Sequence, residues 1–514
     1  MILLVGLVIG ISHTNPRDKN PKKEETIPVI EDTYVDELRI PLIELDSLNP
    51  LKTRNYQVFQ VLSLIYEPLF EYDSEETFGG VLAKSFSKLD AKTWIITLRN
   101  DVTWHGGEVF NAYDVIATIK ALQNHSLVYS ANVENIENVE RLDGSSVKIT
   151  LKEDDDFFVN KLVFPIIPEY YLGGSGFEDE NKEQRPIGTG PYAYDKTLEN
   201  GNIVLQFNEN WWKQKNAKLQ TITLIPYATY GEAIKGFKSA KVDMMVTNMA
   251  EWKNKFGTIG LNHYDFENAE FEVIIPNCQN IILKDMAVRR AILEGINREN
   301  IINSVYDDNA VISDMGLHTN SHSSITNFEY DTEKAKQLLM NANWMQGEST
   351  WYKEIEGKKY ELSFSLLVNK EDEKKMEVAQ KIKDDLEELG IHIKLKAISL
   401  KEIKEAISQD AFELALVSLD IKGEEDLIQG VTMNHKRNFA HYSSTAMENV
   451  IEKIKTNTNV NRELMDEFWN RYKSEVPYIG LYYKTSTILT NKSVKGNFNP
   501  NWFRVYRNMD SFCK

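Results

Sequence analysis

The hydrophobic pattern of the chain changes between a two-residue period and a period of three to four residues. Trp94, Ile96 and Leu98 occupy every second position of one run, which predicts a strand with one apolar face on a sheet. From Val288 onward, isoleucines recur every four residues, which predicts a helix. The two periods together predict a protein of mixed strands and helices.

Residues 271–302 join a strand to a helix near the middle of the chain. The β-branched apolar run 273–275 stops at Pro276, and Asp285 can cap the helix that follows. A strand that enters a capped helix at mid-chain indicates a passage from one lobe to another. An ordinary strand-helix unit within one domain fits the same pattern.

Strand and helix patterns alternate in the second half of the chain. Strands are predicted at 362–367, 391–397 and 412–419, and helices at 371–389 and 401–408, with Gly390 as a helix stop. Strand-helix-strand repetition is typical of a largely parallel sheet with right-handed crossovers.

The N-terminal region reads as a targeting segment. Residues 1–12 are apolar, and residues 15–25 form a charged, proline-containing tether. Roughly eleven apolar residues are fewer than the ~20 that a membrane span needs, and they fit the core of a secretory signal. A basic stretch before the apolar run and a cysteine for acylation are both missing. We therefore expect either a truncated or misassigned start or an uncleaved anchor, and a protein that is exported and tethered near its N-terminus.

Charge and cysteine content exclude several classes of protein. The 514 residues carry a net charge of −18, which argues against a nucleic-acid partner because phosphate binding needs a basic surface. Cys278 and Cys513 are the only cysteines, so neither a disulfide framework nor a cysteine-based metal site is expected. Two free thiols are the prediction, and a single bridge between them is the alternative.

Several sequence blocks, in order, closely resemble the signatures of one family. They are YEPLF at 66–70, WHGGEVFNAYDV at 104–115, RPIGTGPY at 185–192, NENWW at 208–212, the Val-Arg-Arg-Ala-Ile and Ile-Asn-Arg-Glu runs at 288–299, and YDTEKAKQLLMNANW at 330–344. The family is the family 5 extracellular solute-binding proteins of ABC importers, which includes oligopeptide, dipeptide and nickel types. The resemblance covers roughly residues 35–514.

The resemblance implies an α/β fold of the periplasmic-binding-protein type II. Two lobes then enclose a ligand cleft, and a small extra domain is inserted in the first lobe. The expected division is a signal- or anchor-like segment with its tether (1–34), the main lobe in three parts (35–72, 179–271 and 479–514), the inserted α+β domain (73–178) and the second α/β lobe (272–478).

Peptide-binding members of this family commonly hold the ligand's α-ammonium with an aspartate in a W-x-x-D-Y-x-x-P motif. The aligned run 417–422 reads Val-Ser-Leu-Asp-Ile-Lys, which keeps the aspartate as Asp420 and lacks the tryptophan, tyrosine and proline. The resemblance implies ligand contacts at Ser418, Leu419 and Asp420. The alternative for Asp420 is a solvated loop carboxylate among acidic neighbours.

Two further segments are candidates by position in the family. The opposing, strand-like contact falls at Arg54, Asn55 and Tyr56, and the run 438–442 resembles the N-x-x-x-Y of the cleft edge through Asn438 and Tyr442. Polar surface loops are the alternative interpretation for both segments.

Sequence signs of catalysis or metal binding are weak. No H-E-x-x-H, G-x-S-x-G, S-x-x-K or C-x-x-C motif stands in a context that supports catalysis. His318 and His322 are four residues apart, but the glycine, asparagine and serine around them indicate a loop. His105 beside Trp104 is typical of packing or surface. We therefore expect no enzyme activity, no cofactor and no bound metal.

The prediction is a monomeric, extracytoplasmic binding protein without a nucleic-acid partner. It is expected to capture a small ligand, most simply an oligopeptide, in a closing cleft and to deliver it to the permease subunits of an ABC importer. Nickel, a sugar or another small ligand remains open. The alternative function is a peptide-sensing or partner-docking receptor that is not coupled to transport.

Overall fold

The structure is a computed structural model of the chain. It describes residues 37–72, 78–172, 185–213, 217–318, 326–456 and 462–513. The predictions for the apolar start, the charged tether, the glycine-rich loop 173–184 and His322 lie outside the described residues. Within the described ranges, no helix is both long enough and apolar enough to span a membrane.

The first described strand belongs to a four-stranded sheet whose other strands follow much later in the chain. Its order is Glu37–Ile43, Thr221–Tyr227, Ile203–Phe207 and Tyr192–Thr197. The first two strands are parallel, and the other neighbours are antiparallel. The part of the molecule around this sheet is called the first lobe below.

A separate antiparallel sheet is formed by residues 83–151. Its order is Ala83–Asp90, Thr93–Leu98, Ser146–Leu151 and Ile136–Asp143. The helix Ala112–Asn124 packs near it, and Asn111 caps this helix in a reciprocal capping box with Asp114. The predicted strand at Trp94–Leu98 is therefore confirmed.

Two long antiparallel strands, Leu261–Pro276 and Ile479–Asn491, extend from the first lobe into the rest of the chain. At one end Ile479–Asn491 pairs with Met244–Thr247, and at the other end Leu261–Pro276 pairs with Leu414–Asp420. Their register shifts between Glu267 and Phe271. The far ends of these strands and the residues around 363–420 are called the second lobe.

The second-lobe sheet is mixed rather than largely parallel. Ser363–Asn369 is parallel to both His392–Ile398 and Leu414–Asp420, as the strand-helix repetition predicts. However, Leu414–Asp420 is antiparallel to Leu261–Pro276. The prediction of a largely parallel sheet is wrong at this point because the long strands enter from the other lobe, which local periodicity does not reveal.

The other strands of the described residues belong to several sheets. They are Phe70–Tyr72, Phe78–Gly80, Ala310–Ile312, Met345–Gln346, Trp351–Ile355 and Lys358–Glu361.

Helices cover both faces of the second-lobe sheet. On one face, Met286–Glu294, Arg298–Tyr306 and Glu373–Glu388 enclose Ile274, Leu366 and Leu416. On the other, Thr445–Thr456 and Arg462–Glu475 enclose Val273, Ile275 and Val417. Successive residues of a strand point to opposite faces of the sheet, so alternate residues of these strands are buried in two different apolar cores.

The other helices of the described residues lie elsewhere in the chain. They are Tyr56–Leu62, Ser130–Val133, Glu169–Leu172, Tyr230–Lys238, Trp252–Phe256, Thr332–Asn341, Leu400–Ser408 and Glu424–Val431, with short 3-10 turns at Phe158–Lys161 and Met509–Ser511.

Candidate functional site

The strand Leu414–Asp420 has one side that is only partly paired. It pairs with Leu261–Pro276 along its full length, but with Ser363–Asn369 only at Leu414 and Ala415. Beyond Ala415, no strand among the described residues pairs with this side. Such an edge presents backbone N–H and C=O groups on which an extended chain can add.

Two adjoining pockets flank this edge, one of about 420 Å³ and one of about 1210 Å³. Both are lined by Lys404, Ser418, Leu419 and Phe439. The smaller pocket also contains Asp420. The three second-lobe residues predicted to contact ligand in the run 417–422 therefore lie together at the pockets.

Asp420 ends its strand with a carboxylate that is open to solvent. Its side chain is 64% exposed and lies 3.6 Å from the ammonium of Lys422. The backbone is fixed on both sides, since the residue pairs with Glu270 and its carbonyl accepts a 3.3 Å hydrogen bond from Arg437. A fixed strand end with a solvated carboxylate can receive a ligand cation without breaking a buried ion pair.

Ser418 belongs to a charged cluster beside Asp420. Its hydroxyl donates to Glu272 at 2.5 Å and accepts from the Lys375 ammonium at 2.8 Å. Glu272 is 1% exposed and pairs with Lys484 at 2.9 Å and Lys375 at 3.3 Å. Burial raises the pKa of Glu272, but Lys484 and then Lys375 outweigh burial and hold this pKa below its ordinary value. The Glu272 carboxylate therefore stays ionised, and its hydrogen bond from Ser418 fixes the position of that hydroxyl.

The first-lobe candidates Arg54, Asn55 and Tyr56 line neither pocket. The Asn55 side chain caps the helix Tyr56–Leu62 and donates to the carbonyls of Ile43 and Glu44. The hydroxyl of Tyr56 donates to the Trp502 carbonyl at 2.5 Å. Arg54 is exposed. Of these three candidates, only Arg54 has a side chain without a hydrogen bond to another described residue that holds the local structure.

Asn438 and Tyr442 lie in the wall of the larger pocket and are both buried. The amide of Asn438 accepts from the Tyr442 N–H at 3.0 Å and donates to the Tyr442 carbonyl at 2.8 Å. The Tyr442 hydroxyl donates to Glu475 at 2.5 Å. These contacts hold the loop in shape, so the two side chains act on the pocket through that loop.

A hydrogen bond connects the two lobes through the strand Phe70–Tyr72 and the helix Glu424–Val431. The strand packs in the apolar core of the first lobe through Phe70, and the helix packs in that of the second lobe through Leu427. The hydroxyl of Tyr72 hydrogen-bonds to the carboxylate of Glu425. Asn160 donates to the same hydroxyl at 3.0 Å. Burial and the nearby Asp426 raise the pKa of Glu425 to about 7.

His105 and His318 pack against other groups of the protein, and neither cysteine forms a disulfide. His105 lies against the backbone of Gly188 and Gly190, and burial lowers its pKa to about 4, so it is neutral at pH 7. His318 stacks on Tyr483 with ring centroids 3.9 Å apart. Both cysteines are free thiols, which confirms that prediction. Among the residues that the structure describes, no group of three histidine, cysteine or acidic side chains is arranged to hold a metal ion.

The charged cluster around Glu272 was not anticipated from the sequence. A glutamate inside the apolar run 271–275, and Lys375 on the apolar side of the helix Glu373–Glu388, are the signals that could have indicated it. A charge at a buried position needs a partner, so each of these residues implies another.

Comparisons with known proteins agree with this architecture. The family model for bacterial extracellular solute-binding proteins, family 5 Middle, matches residues 77–427. The oligopeptide-binding protein AppA of Bacillus subtilis (strain 168) is 21% identical over 455 residues, which is 84% of this chain and 83% of AppA. The nickel-binding periplasmic protein of Escherichia coli (strain K12) is 28% identical over 371 residues, 69% of each chain.

Among solved structures, the nickel ABC transporter from Bacillus halodurans superposes with a TM-score of 0.77 at 20% identity. The match covers 93% of this chain and 100% of that one. This likeness shows the fold, which is the two-lobed α/β architecture of type II periplasmic binding proteins.

Proposed function

Because the chain belongs to the bacterial extracellular solute-binding proteins of family 5, we propose that it captures oligopeptides between its lobes and delivers them to an ABC permease. Members of this family are substrate-binding components of ABC importers, not enzymes. The observation that carries the peptide assignment is the unpaired edge of residues 416–420, which ends in the exposed carboxylate of Asp420.

An extended peptide fits this edge because its backbone can continue the sheet. Strand addition satisfies main-chain groups of any sequence, so it binds peptides as a class, while pockets beside the edge select side chains. The smaller pocket, at Ser418, Leu419 and Asp420, occupies that position. A metal ion or a sugar has no peptide backbone and therefore cannot form the main-chain hydrogen bonds of an added strand.

The peptide's α-ammonium is proposed to pair with Asp420. Desolvation of a cation in a closing cleft needs an anion at hydrogen-bond distance, and Asp420 offers one whose present partner, Lys422, is 3.6 Å away. Ser418 and Leu419 supply backbone contacts beside it. Asn438 and Tyr442 hold the loop that walls the larger pocket.

The first lobe is proposed to close over the peptide from the opposite side. Arg54 is its candidate contact, held by the cap at Asn55 and the anchored Tyr56. The proposed hinge is the pair of long strands near residues 267–271, where their register shifts. The division into a three-part main lobe, an inserted domain at 73–178 and a second lobe at 272–478 belongs to this proposal, as do the monomeric state and tethering near the N-terminus.

Mass spectrometry of molecules released by denaturing the purified protein tests the peptide assignment. The expected result is a set of peptides with free N-termini and a narrow range of lengths. Ligand-free protein, refolded after the same denaturation, should regain binding when these peptides are returned. If no released or added peptide raises the melting temperature and nickel or a sugar does, the peptide assignment is wrong and the family membership stands.

A further inference from the structure

The larger pocket has a wall of apolar side chains that lies away from Asp420. The helix Leu400–Ser408 presents Leu400, Ile403 and Ile407 on one face, three and four residues apart. They face Ile275 and Val417, which lie on adjacent strands of the sheet. The pocket of about 1210 Å³ lies beside this packed helix and sheet, and residues of the segments 278–289 and 433–443 form its other walls.

Two large apolar side chains at this pocket are unusually open to solvent. Leu400 is 44% exposed and Met286 is 55% exposed. Single exposed apolar residues are common, but both of these line the same concave space. A concave apolar surface with a few polar groups is the usual form of a small-molecule site.

The charged groups at the pocket favour an anion. Lys284, Lys404 and Lys436 all line it and are exposed, and none of them forms an ion pair with another described residue. The lining carboxylates have partners already. Asp285 caps a helix and lies 3.4 Å from Lys353, and Glu475 bonds to Arg471 and Tyr442. This local excess of cations contrasts with the net charge of −18 for the whole chain.

We propose that this pocket binds an amphipathic anion, specifically an unbranched medium- or long-chain carboxylate. The alkyl chain lies against the open apolar side chains Leu400, Ile407 and Met286, and the carboxylate lies among the lysines. Lys284 and Lys436 line this pocket but not the smaller one at Asp420. Four residues line both pockets, so this site adjoins the proposed ammonium contact, but the proposal does not depend on the ligand being a peptide.

Calorimetric titration of the full chain with dodecanoate, dodecylammonium and acetate tests the proposal. Dodecanoate should bind, acetate should not because it lacks the apolar chain, and dodecylammonium should bind more weakly because its charge is repelled. The double variant Lys284→Glu/Lys436→Glu should weaken dodecanoate by about tenfold or more, since it replaces two exposed attractions by two repulsions.

The matched control is Lys394→Glu/Lys396→Glu, which makes the same change of charge on the exposed strand His392–Ile398, outside the pocket. It should bind dodecanoate as the native chain does. Ile407→Glu should also weaken binding, and Ile407 is partly exposed, so this variant tests the apolar wall in a folded protein.

Four results would overturn the proposal. One is no dodecanoate binding to the native chain. The second is dodecanoate binding that both lysine variants leave equally unchanged, and the third is dodecylammonium binding as tightly as dodecanoate. The fourth is an equal loss of peptide and dodecanoate in Lys284→Glu/Lys436→Glu, because the pocket would then be part of the peptide site rather than a second site.

Discussion

The buried carboxylate of Glu67 joins three of the sequence blocks that first suggested the family. It accepts hydrogen bonds from Thr189 at 2.9 Å, Trp211 at 3.2 Å and Trp212 at 3.0 Å. The blocks YEPLF, GTGPY and NENWW therefore meet at one residue that is 0% exposed. These motifs identify the fold because they build it, and they carry no information about the ligand.

Asp420→Ala tests the proposed contact with the peptide's ammonium. A hydrogen bond between charged groups contributes about 1.5–3 kcal/mol, so free-amine peptides should bind roughly 10- to 100-fold more weakly. N-acetylated peptides should change little, because they present no cation. Calorimetry with matched free and acetylated peptides measures both.

Glu371→Ala is the control for Asp420→Ala. Glu371 is an exposed carboxylate that follows the neighbouring strand Ser363–Asn369 and lines neither pocket. It should leave both classes of peptide unaffected. Equal losses of free and acetylated peptides in Asp420→Ala would show that the residue supports the strand and does not bind the ammonium.

The ion pair of Arg298 with Asp314 gives a stability prediction. Both side chains are at most 2% exposed. Arg298→Met should lower the free energy of unfolding by about 3–5 kcal/mol, because it leaves a buried carboxylate without its cation. The exposed pair of Lys336 with Glu333 is the comparison, and Lys336→Met should change stability by less than about 1 kcal/mol. Urea unfolding measures the free energy of unfolding of both variants. Similar losses of stability in the two would show that burial does not make the pair of Arg298 with Asp314 more important than an exposed pair.

Local signals at single residues were predictable from the sequence, and long-range partners were not. Asp285 caps its helix as predicted because a cap depends only on the next few residues. Lys484, in contrast, reaches Glu272 from a strand more than two hundred residues away. The sequence could show that a buried glutamate needs a cation, but not which one.

At the level of elements, the segment 185–192 packs so closely on Ile65 that no side chain fits at its two glycines, Gly188 and Gly190. A Cβ at Gly188 would lie 1.8 Å from the Ile65 carbonyl oxygen, while a Cβ at Gly144, in the hairpin turn, has nothing within 4 Å. Gly188→Ala should therefore destabilise by at least about 1–3 kcal/mol, and Gly144→Ala should be close to neutral. Thermal unfolding of the two variants measures the difference, and equal melting temperatures would contradict the close packing.

Periodicity predicted individual elements well but not their arrangement. The helix Glu373–Glu388 and the positive φ of Gly390 follow the predicted pattern closely. The strand Leu414–Asp420 was also anticipated, yet its antiparallel neighbour Leu261–Pro276 was not. Strand order depends on the path between the lobes, and that path leaves no periodic signal. The unpaired edge at residues 416–420, on which the functional proposal rests, depends on strand order and could not be predicted from the sequence.

For the whole molecule, the contact between Tyr72 and Glu425 links pH to the relation of the lobes. Separation of the lobes would expose Glu425 and return its pKa from about 7 toward its ordinary value of 4.5. Between these values the contacting form holds more protons than the separated form. The contact should therefore weaken as pH rises from 4.5 to 7, by at most about tenfold per pH unit for one proton.

Small-angle X-ray scattering of the ligand-free chain at pH 5 and pH 8 checks this linkage. The radius of gyration should be larger at pH 8. Glu425→Gln should remove the difference, because the amide bonds to Tyr72 without titrating, and the neighbouring Glu424→Gln should keep it. A difference that persists in Glu425→Gln would assign the pH response to another group, such as Asp426, whose pKa burial also raises.

Calorimetric titration of refolded, ligand-free protein with short peptides tests peptide capture between the lobes most directly. The peptides are added as mixed pools of chains of two to nine residues, and each pool is prepared once with free and once with acetylated N-termini. We expect saturable binding of free-amine peptides, weaker binding of their acetylated forms, and a smaller radius of gyration in the complex. Absence of binding by every peptide pool, together with a clear heat signal for nickel or a nickel chelate, would contradict it.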